Sequence, residues 1–373
     1  MPRRTSSALR HARLAAALAG SMALACTGCT SSNGSAAGGP TTSAGTGPAP
    51  VVATSAAPAP SAKASASPTT SSAPPPAPAS VHANELGRVP VLMYHKLTAH
   101  PSSDYDRRPA DFNADLAYLE KHGFVPITAA DLVAGKIDIP AGKHPVVFTF
   151  DDGTVSQFAL GADGKPKPGT ALALMQAFAV THPDFPAVAT FYVNAAPFGT
   201  TAGERVLAYL TAHGDEVGDH TVDHTNLHTA TDAKVQAEIA GNLAMIVKAD
   251  PSAKVTTFAL PFGAIPKTRA LDHAGSSGGT SYKFAGVFAV GAGPAHSPYN
   301  AAFDPLYVPR IRAQNQADAK AADRPYISSY LLPQLVANPS SLYVSDGDPG
   351  HVSYPRSTTI AVAARWKSVA QPY

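Results

Sequence analysis

The sequence predicts an α/β fold over residues 85–312, either a barrel or a doubly wound sheet. Three observations indicate it: apolar runs that do not alternate with polar residues, segments of helical spacing between them, and about seven repeats of that alternation. Continuous apolar runs suit strands that are buried on both faces, as in parallel sheets. Alternating strands and helices suit a parallel sheet covered by helices, and the size of this region matches a barrel.

The strands are predicted from seven apolar runs, such as "PVVFTFDDG" and "ATFYVNA". They lie at residues 89–95, 145–153, 187–195, 215–221, 256–263, 284–291 and 306–311.

The helices are predicted from apolar residues that recur at intervals of three and four. Phe112, Leu116 and Leu119 have this spacing, and Gly123 can close their helix. Thr231 or Asp232 can cap the longest helix. The four predicted helices span residues 109–123, 170–182, 204–214 and 232–249.

Residues 1–29 have the layout of a secretory signal peptide, which we expect to be of the lipoprotein type. Arginines precede a short apolar run at residues 14–25, and small residues and two cysteines follow. Thr27, Gly28 and Cys29 resemble the end of a bacterial lipobox. The apolar run is short for a membrane span. We therefore expect an extracytoplasmic protein that meets the membrane only through its signal or a lipid anchor.

The two segments that flank the predicted α/β region differ from it in composition. Residues 30–84 are mostly Ala, Ser, Pro, Thr and Gly, which bury too little apolar surface to offset the ordering entropy. They are predicted to be a disordered linker. Residues 313–373 are less regular, with predicted strands only at 341–346 and 358–364, and are interpreted as a C-terminal extension packed on the barrel.

Composition excludes several classes of function. The net charge is +2 with 14% charged residues, and no basic block lies beyond the N-terminal arginines, so nucleic acid is not expected as a partner. Both cysteines lie in the signal segment. The folded region therefore has no thiolate ligand, disulfide or cysteine nucleophile, and any metal must be bound through oxygen and nitrogen.

Candidate functional residues, all polar except Phe262, lie at the carboxyl ends of the predicted strands, where α/β folds place their active sites. They are Tyr94, His95, Asp151, Asp152, His220, His224, Phe262 and Arg310.

His220 and His224 lie in a run that favours a loop over a helix. Two imidazoles at a strand end can converge on one ion, and with one carboxylate they form a three-ligand site of the catalytic zinc type. The alternative is a pair of solvated surface histidines.

Asp151 and Asp152 end a buried strand, where two adjacent acids are costly. If Asp152 binds an ion, the ion offsets their repulsion, and Asp151 stays free as a base. Gly153 permits the sharp turn that brings both side chains to one site. The alternative, a pair of solvated turn aspartates, fits poorly after six buried residues.

The motifs "TFDDG" and "HTVDH" together resemble the polysaccharide deacetylases of the NodB-homology type, carbohydrate esterase family four. "VPVLMYHKL", "ATFYVNA", "DEVGDHT" and "ALPFG" follow that family's order, over about residues 88–312. The resemblance implies a deformed (β/α)7 barrel that removes N-acetyl groups from amino-sugar polysaccharides. It further implies Asp151 as the general base, and Asp152, His220 and His224 as ligands of a divalent metal, first of all Zn²⁺, with Co²⁺ or Ni²⁺ as alternatives.

Departures from the family pattern leave some roles open. Ala259 stands where many members have an arginine that braces the base, and Arg310 is a candidate replacement. The late Leu-x-His motif that supplies the general acid is missing, which leaves His95, His296 and His351 as candidates. The "YH" strand resembles the exopolysaccharide-deacetylase branch. We expect Tyr94, Phe262 and Arg310 to contact the substrate.

Three alternatives to an N-deacetylase remain. A serine hydrolase is suggested only by "GSSGG" at residues 275–279, which lacks the strand and helix that a nucleophile elbow needs. An O-acetyl esterase acting on xylan-like chains would use the same metal and base. A non-catalytic glycan-binding protein on the same scaffold would retain the metal site with little turnover.

Overall fold

The computed structural model describes residues 76–201 and 203–373. The predicted signal peptide and most of the predicted linker lie outside the described residues. The helices are α1 Pro109–Lys121, α2 Ala129–Ala134, α3 Ala171–Thr181, α4 Glu204–Ala212, α5 Asp232–Ala249 and α6 Ser328–Ala337. The strands are β1 Arg88–Val89, β2 Val91–Tyr94, β3 Phe124–Ile127, β4 His144–Asp151, β5 Thr190–Val193, β6 Glu216–Asp219, β7 Thr257–Ala259, β8 Ala274–Ser277, β9 Thr280–Lys283, β10 Gly286–Ala292, β11 Ala295–His296, β12 Val308–Arg312, β13 Val352–Tyr354 and β14 Ala370–Pro372.

Seven parallel strands close into a barrel in the order β2, β12, β10, β7, β6, β5 and β4, and β2 pairs with β4 to complete the ring. Each of the seven predicted apolar runs overlaps one of these strands, and no strand extends more than one residue beyond its run. An eighth strand, β3, pairs with the N-terminal part of β4, from His144 to Val147, while β5 pairs with its C-terminal part. The predicted (β/α)7 barrel is confirmed, and β3 is its main irregularity.

The strand β4 illustrates why the apolar runs are continuous. Val146, Phe148 and Phe150 face outward into a cluster with α1 and α3, and Val147 lies in a second cluster with other barrel strands. Successive side chains of a strand point to opposite faces, so a strand that is covered on both sides needs apolar residues at every position.

The four predicted helices are present within two residues of their predicted ends. Thr231 caps α5, because its side chain accepts a hydrogen bond from the amide of Lys234. None of the helices in the described part of the chain has the length and apolarity that a bilayer crossing requires.

The C-terminal segment differs from its predicted pattern. The helix α6 was not predicted, and the two predicted strands form only isolated bridges, at Leu342, Val344 and Val362. Leu332 and Leu335 pack into the same apolar cluster as α1 and α3.

Regular structure begins before residue 84, which was the predicted end of the linker. Pro78–Val81 form a 3-10 helix, and Ala83 and Asn84 are buried. Asn84 donates from its side chain to the carbonyls of Ser340 and Leu342, which ties this segment to the C-terminal part of the chain.

Candidate metal centre

Three side chains with metal-ligating atoms meet at the carboxyl ends of β4 and β6. One ligand atom from each of Asp152, His220 and His224 lies within 4.8 Å of the other two. The Nε2 atoms of both histidines are 3.6 Å from Oδ1 of Asp152. His220 is buried, whereas His224 and Asp152 are 33% and 35% exposed, so the cluster opens to solvent on one side.

The orientation of His220 fits a metal ligand. Its Nδ1 donates to the carbonyl oxygen of Ala259 at 2.8 Å, so the lone pair lies on Nε2. That Nε2 is buried without a hydrogen-bond partner and faces Asp152. Metal-binding histidines are typically fixed in this way through their other ring nitrogen. An unpartnered buried acceptor is costly, and a divalent ion would satisfy it.

The backbone at the centre is strained, because several residues adopt positive φ. Asp152 has φ +78°, Thr221 has φ +67° and His224 has φ +52°. Side chains rarely occupy this region, and such residues cluster at functional sites. Gly153, with φ +59°, completes the predicted turn, and a Cβ atom there would press on Val193 at 3.3 Å.

Buried polar side chains hold the strained loop after β6 in place. Asn194 donates to the carbonyls of His220 and Thr221. Asp219 accepts from the amide of Thr221 at 2.8 Å, and its Oδ1 also accepts from Asn242 at 3.1 Å. These residues position the two histidines.

Asp151 lies beside the three ligands but is paired with Arg310. The guanidinium Nη1 and Nη2 donate to Oδ1 and Oδ2 of Asp151 at 2.6 and 2.7 Å, and both side chains are buried. Arg310 also donates to the carbonyl of Ala289 and to the hydroxyl of Thr149. Burial alone would raise the pKa of Asp151, but the charge of Arg310 and its hydrogen bonds hold that pKa well below the usual range.

His95 faces Asp151 from the end of β2. Its Nε2 is 3.9 Å from Oδ2 of Asp151, and its ring packs on Tyr105 with centroids 4.8 Å apart. Gln157 donates to the carbonyls of both His95 and Asp151, which fixes the two strand ends together. Burial lowers the pKa of His95, although the carboxylates of Asp151 and Asp152 partly oppose this shift.

Phe262 lies at the rim of the centre. Its ring is 4.3 Å from that of His224, and 63% of the residue is exposed. Its φ of +59° turns the chain sharply after β7. Phe262 is therefore placed where a sugar ring can pack on it.

Two predicted substrate contacts are corrected by the structure. Tyr94 is buried between α1 and β4, and its hydroxyl donates to Asp115 at 2.9 Å. Because successive residues of a strand point to opposite faces, Tyr94 cannot face the centre when His95 does. Arg310 is also fully buried. It contacts the carboxylate of Asp151 instead of solvent.

The other candidate acids lie elsewhere. His296 contacts Asn300, and His351 contacts Asp348, rather than any residue of the centre. The "GSSGG" segment forms the turn of the β8–β9 hairpin, with positive φ at Gly278 and Gly279. It is not the strand-to-helix turn that a serine nucleophile requires.

The supporting residues Gln157, Asn194 and Asn242 were missed by the sequence reasoning. Each is an amide within or beside an apolar segment, and their long-range partners give no local signal. Asp219 lies in the motif "DEVGDHT", but no role was predicted for it from the sequence.

Comparisons with known proteins agree with the motifs. Residues 138–278 match the polysaccharide deacetylase family, a range that includes Asp151, Asp152, His220 and His224. No curated protein matches the chain.

Solved structures of deacetylases are similar to this chain at low identity. The deacetylase PplD of Streptococcus pyogenes, solved with acetate, is 19% identical with a TM-score of 0.46, over 61% of this chain and 93% of that one. IcaB of Ammonifex degensii is 22% identical with a TM-score of 0.45, over 67% and 96%. BC0361, a polysaccharide deacetylase of Bacillus cereus, is 20% identical with a TM-score of 0.46, over 61% of this chain and 66% of that one. The chain thus spans slightly less than two thirds of the Bacillus protein.

The resemblance to the polysaccharide deacetylases, first indicated by the motifs of this sequence, is therefore confirmed over residues 138–278.

Proposed function

We propose that this protein is a metal-dependent hydrolase that removes N-acetyl groups from an amino-sugar polysaccharide. The observation that carries the proposal is a carboxylate, Asp151, held by Arg310 beside three converging ligand atoms of Asp152, His220 and His224. A carboxylate that is fixed but not itself a ligand is what a general base next to a metal site requires.

Asp152, His220 and His224 would hold the ion. Their donor set of one carboxylate oxygen and two imidazole nitrogens, with positions left open, suits catalytic Zn²⁺ and also accepts Co²⁺ or Ni²⁺. The ion would polarise the acetyl carbonyl and lower the pKa of an attacking water towards about 7.

Asp151 is assigned the role of base. Its depressed pKa keeps it anionic, and each oxygen bound by Arg310 retains a second lone pair that can accept a proton. A base of low pKa removes a proton effectively only from an acidified water, so Asp151 and the three ligands act together. Arg310 is a positioning residue, because it contacts Asp151 rather than the substrate.

His95 is assigned the role of acid. When water adds to the acetyl carbon and the carbon–nitrogen bond breaks, the departing nitrogen needs a proton to leave as an amine. His95 is the imidazole that faces Asp151 from the carboxyl end of the neighbouring strand β2. Phe262 is proposed to pack on the sugar, and its amide to donate to the developing oxyanion. The products are acetate and a glycan with a free amino group.

The location is proposed from the N-terminal sequence. The signal-like layout of residues 1–29 and the linker composition of residues 30–84 support an extracytoplasmic enzyme tethered to the cell envelope. A glycan substrate is consistent with that location.

The proposal is tested by measuring acetate release from N-acetylglucosamine oligomers, peptidoglycan and acetylxylan, with and without a chelator. We expect release from an amino-sugar substrate that the chelator abolishes and added Zn²⁺ restores. Release from acetylxylan alone would favour the O-acetyl esterase. Binding of oligomers without any release would favour the glycan-binding protein.

Metal content provides a second test that is independent of turnover. Elemental analysis of the purified protein is expected to find about one divalent ion per chain, and His220→Ala is expected to lose most of it. His228→Ala is a matched control, since this exposed histidine contacts the carbonyl of Ile265 instead of the centre. Equal metal content in the His220 variant and the wild type would contradict the ligand assignment.

A further inference from the structure

A cavity of about 740 Å³ lies beside the metal centre, between the loops that follow β4 and β5. Val155 and Ser156 line it from the first loop, and Phe198 and Thr200 line it from the second. Both loops leave the carboxyl ends of their strands, where the centre lies. The cavity is large enough for a sugar unit of a bound glycan.

The cavity and the centre share one stretch of chain. Val155 is three residues after Asp152, so the two are at most about 11 Å apart along an extended chain. The amide of Phe198 donates to the carbonyl of Gly153 at 2.6 Å, which joins the wall of the cavity to the turn at the centre. A glycan with its acetyl group at the centre can therefore place a nearby sugar in this cavity.

The charges of the cavity are all positive. Lys167 and Arg205 line it, and no aspartate or glutamate is among its lining residues. Both cations are exposed, and neither forms an ion pair with any residue that the structure describes. Glu204 precedes Arg205 in the chain but does not line the cavity.

A second cavity, of about 430 Å³, differs from the first in its balance of charge. It contains one cation, Arg312, and that guanidinium lies 3.4 Å from the carboxylate of Asp323 within the same cavity. The first cavity has two cations and no such neutralisation, so it has an excess of positive charge in a chain where only 14% of residues are charged.

The side chains, rather than the nearby helix, supply the attraction for an anion. The first amides of α3 already donate to the carbonyls of Ser156 and Gln157, so they are not free for a ligand. Val155 is 58% exposed and offers an apolar surface against which a sugar ring can pack. The cavity thus combines a contact for a ring with two donors for a negative group.

We propose that this cavity is a subsite for an anionic sugar, so that the substrate is an acidic heteropolysaccharide rather than a neutral polymer of N-acetylglucosamine alone. Lys167 and Arg205 bind the carboxylate or phosphate of a sugar close to the acetylated one. This assignment rests on the proposed deacetylase function and adds its substrate class.

The test compares oligosaccharides of equal length: one alternating N-acetylglucosamine with glucuronic acid, one carrying phosphate on N-acetylglucosamine, and one of neutral N-acetylglucosamine. Acetate release is measured for the wild type, for Lys167→Gln/Arg205→Gln, and for Lys248→Gln/Lys283→Gln, which removes equal charge at exposed positions elsewhere. Titration calorimetry with the same oligosaccharides measures binding independently of turnover.

We expect the wild type to prefer an acidic oligosaccharide, and the cavity variant to lose kcat/KM on it by roughly five- to thirtyfold, with the neutral substrate almost unchanged. The loss should shrink at high salt, because salt screens exposed charges. A comparison of the oligosaccharide that contains glucuronic acid with the one that carries phosphate identifies which anion is bound.

Three outcomes would overturn the subsite: no preference for either acidic substrate, an equal loss on acidic and neutral substrates, or an equal loss in the control variant. All three leave the deacetylase assignment intact. Absence of acetate from every substrate would instead count against the proposed function. In that case calorimetry tests the subsite by itself. If the cavity variant binds the acidic oligosaccharides with the same affinity as the wild type, the subsite is overturned.

Discussion

Asp151 and Asp152 are neighbours in the chain with opposite environments. Asp151 is buried against the guanidinium of Arg310, whereas Asp152 turns outward to the two histidines on a backbone with positive φ. The repulsion of two adjacent acids is offset on one side by a cation of the chain, and on the other by the ion that the ligands would bind. The two residues are therefore expected to respond differently to the same substitution.

Asp151→Asn is expected to retain the metal and to lower turnover by about 10²–10⁴, the usual effect of losing a general base. It should also lower the melting temperature, because it leaves the buried guanidinium of Arg310 without its counter-charge, at a cost of about 3–5 kcal/mol. Asp152→Asn should instead weaken metal binding, with little change in the melting temperature of the metal-free protein. Acetate release, elemental analysis and thermal unfolding measure the three effects.

The double variant Asp151→Asn/Arg310→Met is the matched control for that experiment. It removes both buried charges, so stability should return towards the wild-type value while turnover remains low. Near-full activity of Asp151→Asn would show that the base lies elsewhere.

His95→Gln tests the role of the acid. An amine leaving group needs a proton, whereas the nitrophenolate of 4-nitrophenyl acetate does not. We therefore expect acetate release from an N-acetylglucosamine oligomer to fall by about 10²–10⁴, and hydrolysis of the activated ester to fall far less. An equal loss on both substrates would assign His95 to the support of Asp151 instead of proton donation.

At the scale of elements, β6 and the residue just before it provide three acids with different roles. Glu216 accepts from the hydroxyls of Thr190 and Thr257, which joins three neighbouring strands. Asp219 fixes the loop that carries the histidines. Asp215, just before the strand, accepts from the amide of Ala189, but its other oxygen is buried without a partner.

Asp215→Asn is expected to change how stability depends on pH. Burial raises the pKa of Asp215 to about 8, despite the hydrogen bond from Ala189. Its pKa in the unfolded chain is about 3.9, so the unfolded chain releases the proton first and the wild type loses stability as pH rises between these values. The amide does not ionise. The advantage of the variant should thus grow with pH, to on the order of 3 kcal/mol at pH 8.

Urea unfolding at several values between pH 4 and pH 8 measures this difference. The control is Asp184→Asn, an exposed aspartate between α3 and β5. A difference between Asp215→Asn and the wild type that is the same at every pH would show that Asp215 is ionised in the folded protein.

The barrel strands were predictable because each is buried on both faces, which leaves a continuous apolar run in the sequence. The elements that were missed lack such a signal. The strand β3 contains Pro126, and α6 contains Pro333. The convergence of Asp152, His220 and His224 was predictable because they follow the ends of parallel strands. The orientation of Tyr94 was not, since two adjacent residues at a strand end give no local sign of which one faces inward.

At the scale of the whole molecule, the first residues that the structure describes are tied to the C-terminal segment. The hydroxyl of Tyr373 donates to the carbonyl of Ala83, and Asn84 bridges to Val344. The buried carboxylate of Glu85 accepts from the hydroxyl of Tyr343 and from the amide of Ser353. The C-terminal extension and the first ordered residues therefore stabilise each other.

Two shortened chains test this connection. A chain that begins at residue 76 is expected to keep the melting temperature and activity of the full chain, because the preceding segment has little apolar surface to bury. A chain that begins at residue 85 should melt at a lower temperature, since it loses the contacts of Ala83 and Asn84. Thermal unfolding compares the two. If the chain that begins at residue 76 melts at a lower temperature than the full chain, the predicted linker packs on the domain.

The pairing of Asp151 with Arg310 also sets an order of events in folding. The two residues are 159 positions apart, and Arg310 lies on β12, which joins β10 to β2 and closes the ring. The three proposed metal ligands all precede residue 225, so they are synthesised long before Arg310. Folds rich in contacts of high sequence separation form slowly. A chain that has the proposed ligands but not its last barrel strand would hold Asp151 without its guanidinium partner, so we expect the proposed site to be completed only when the barrel closes.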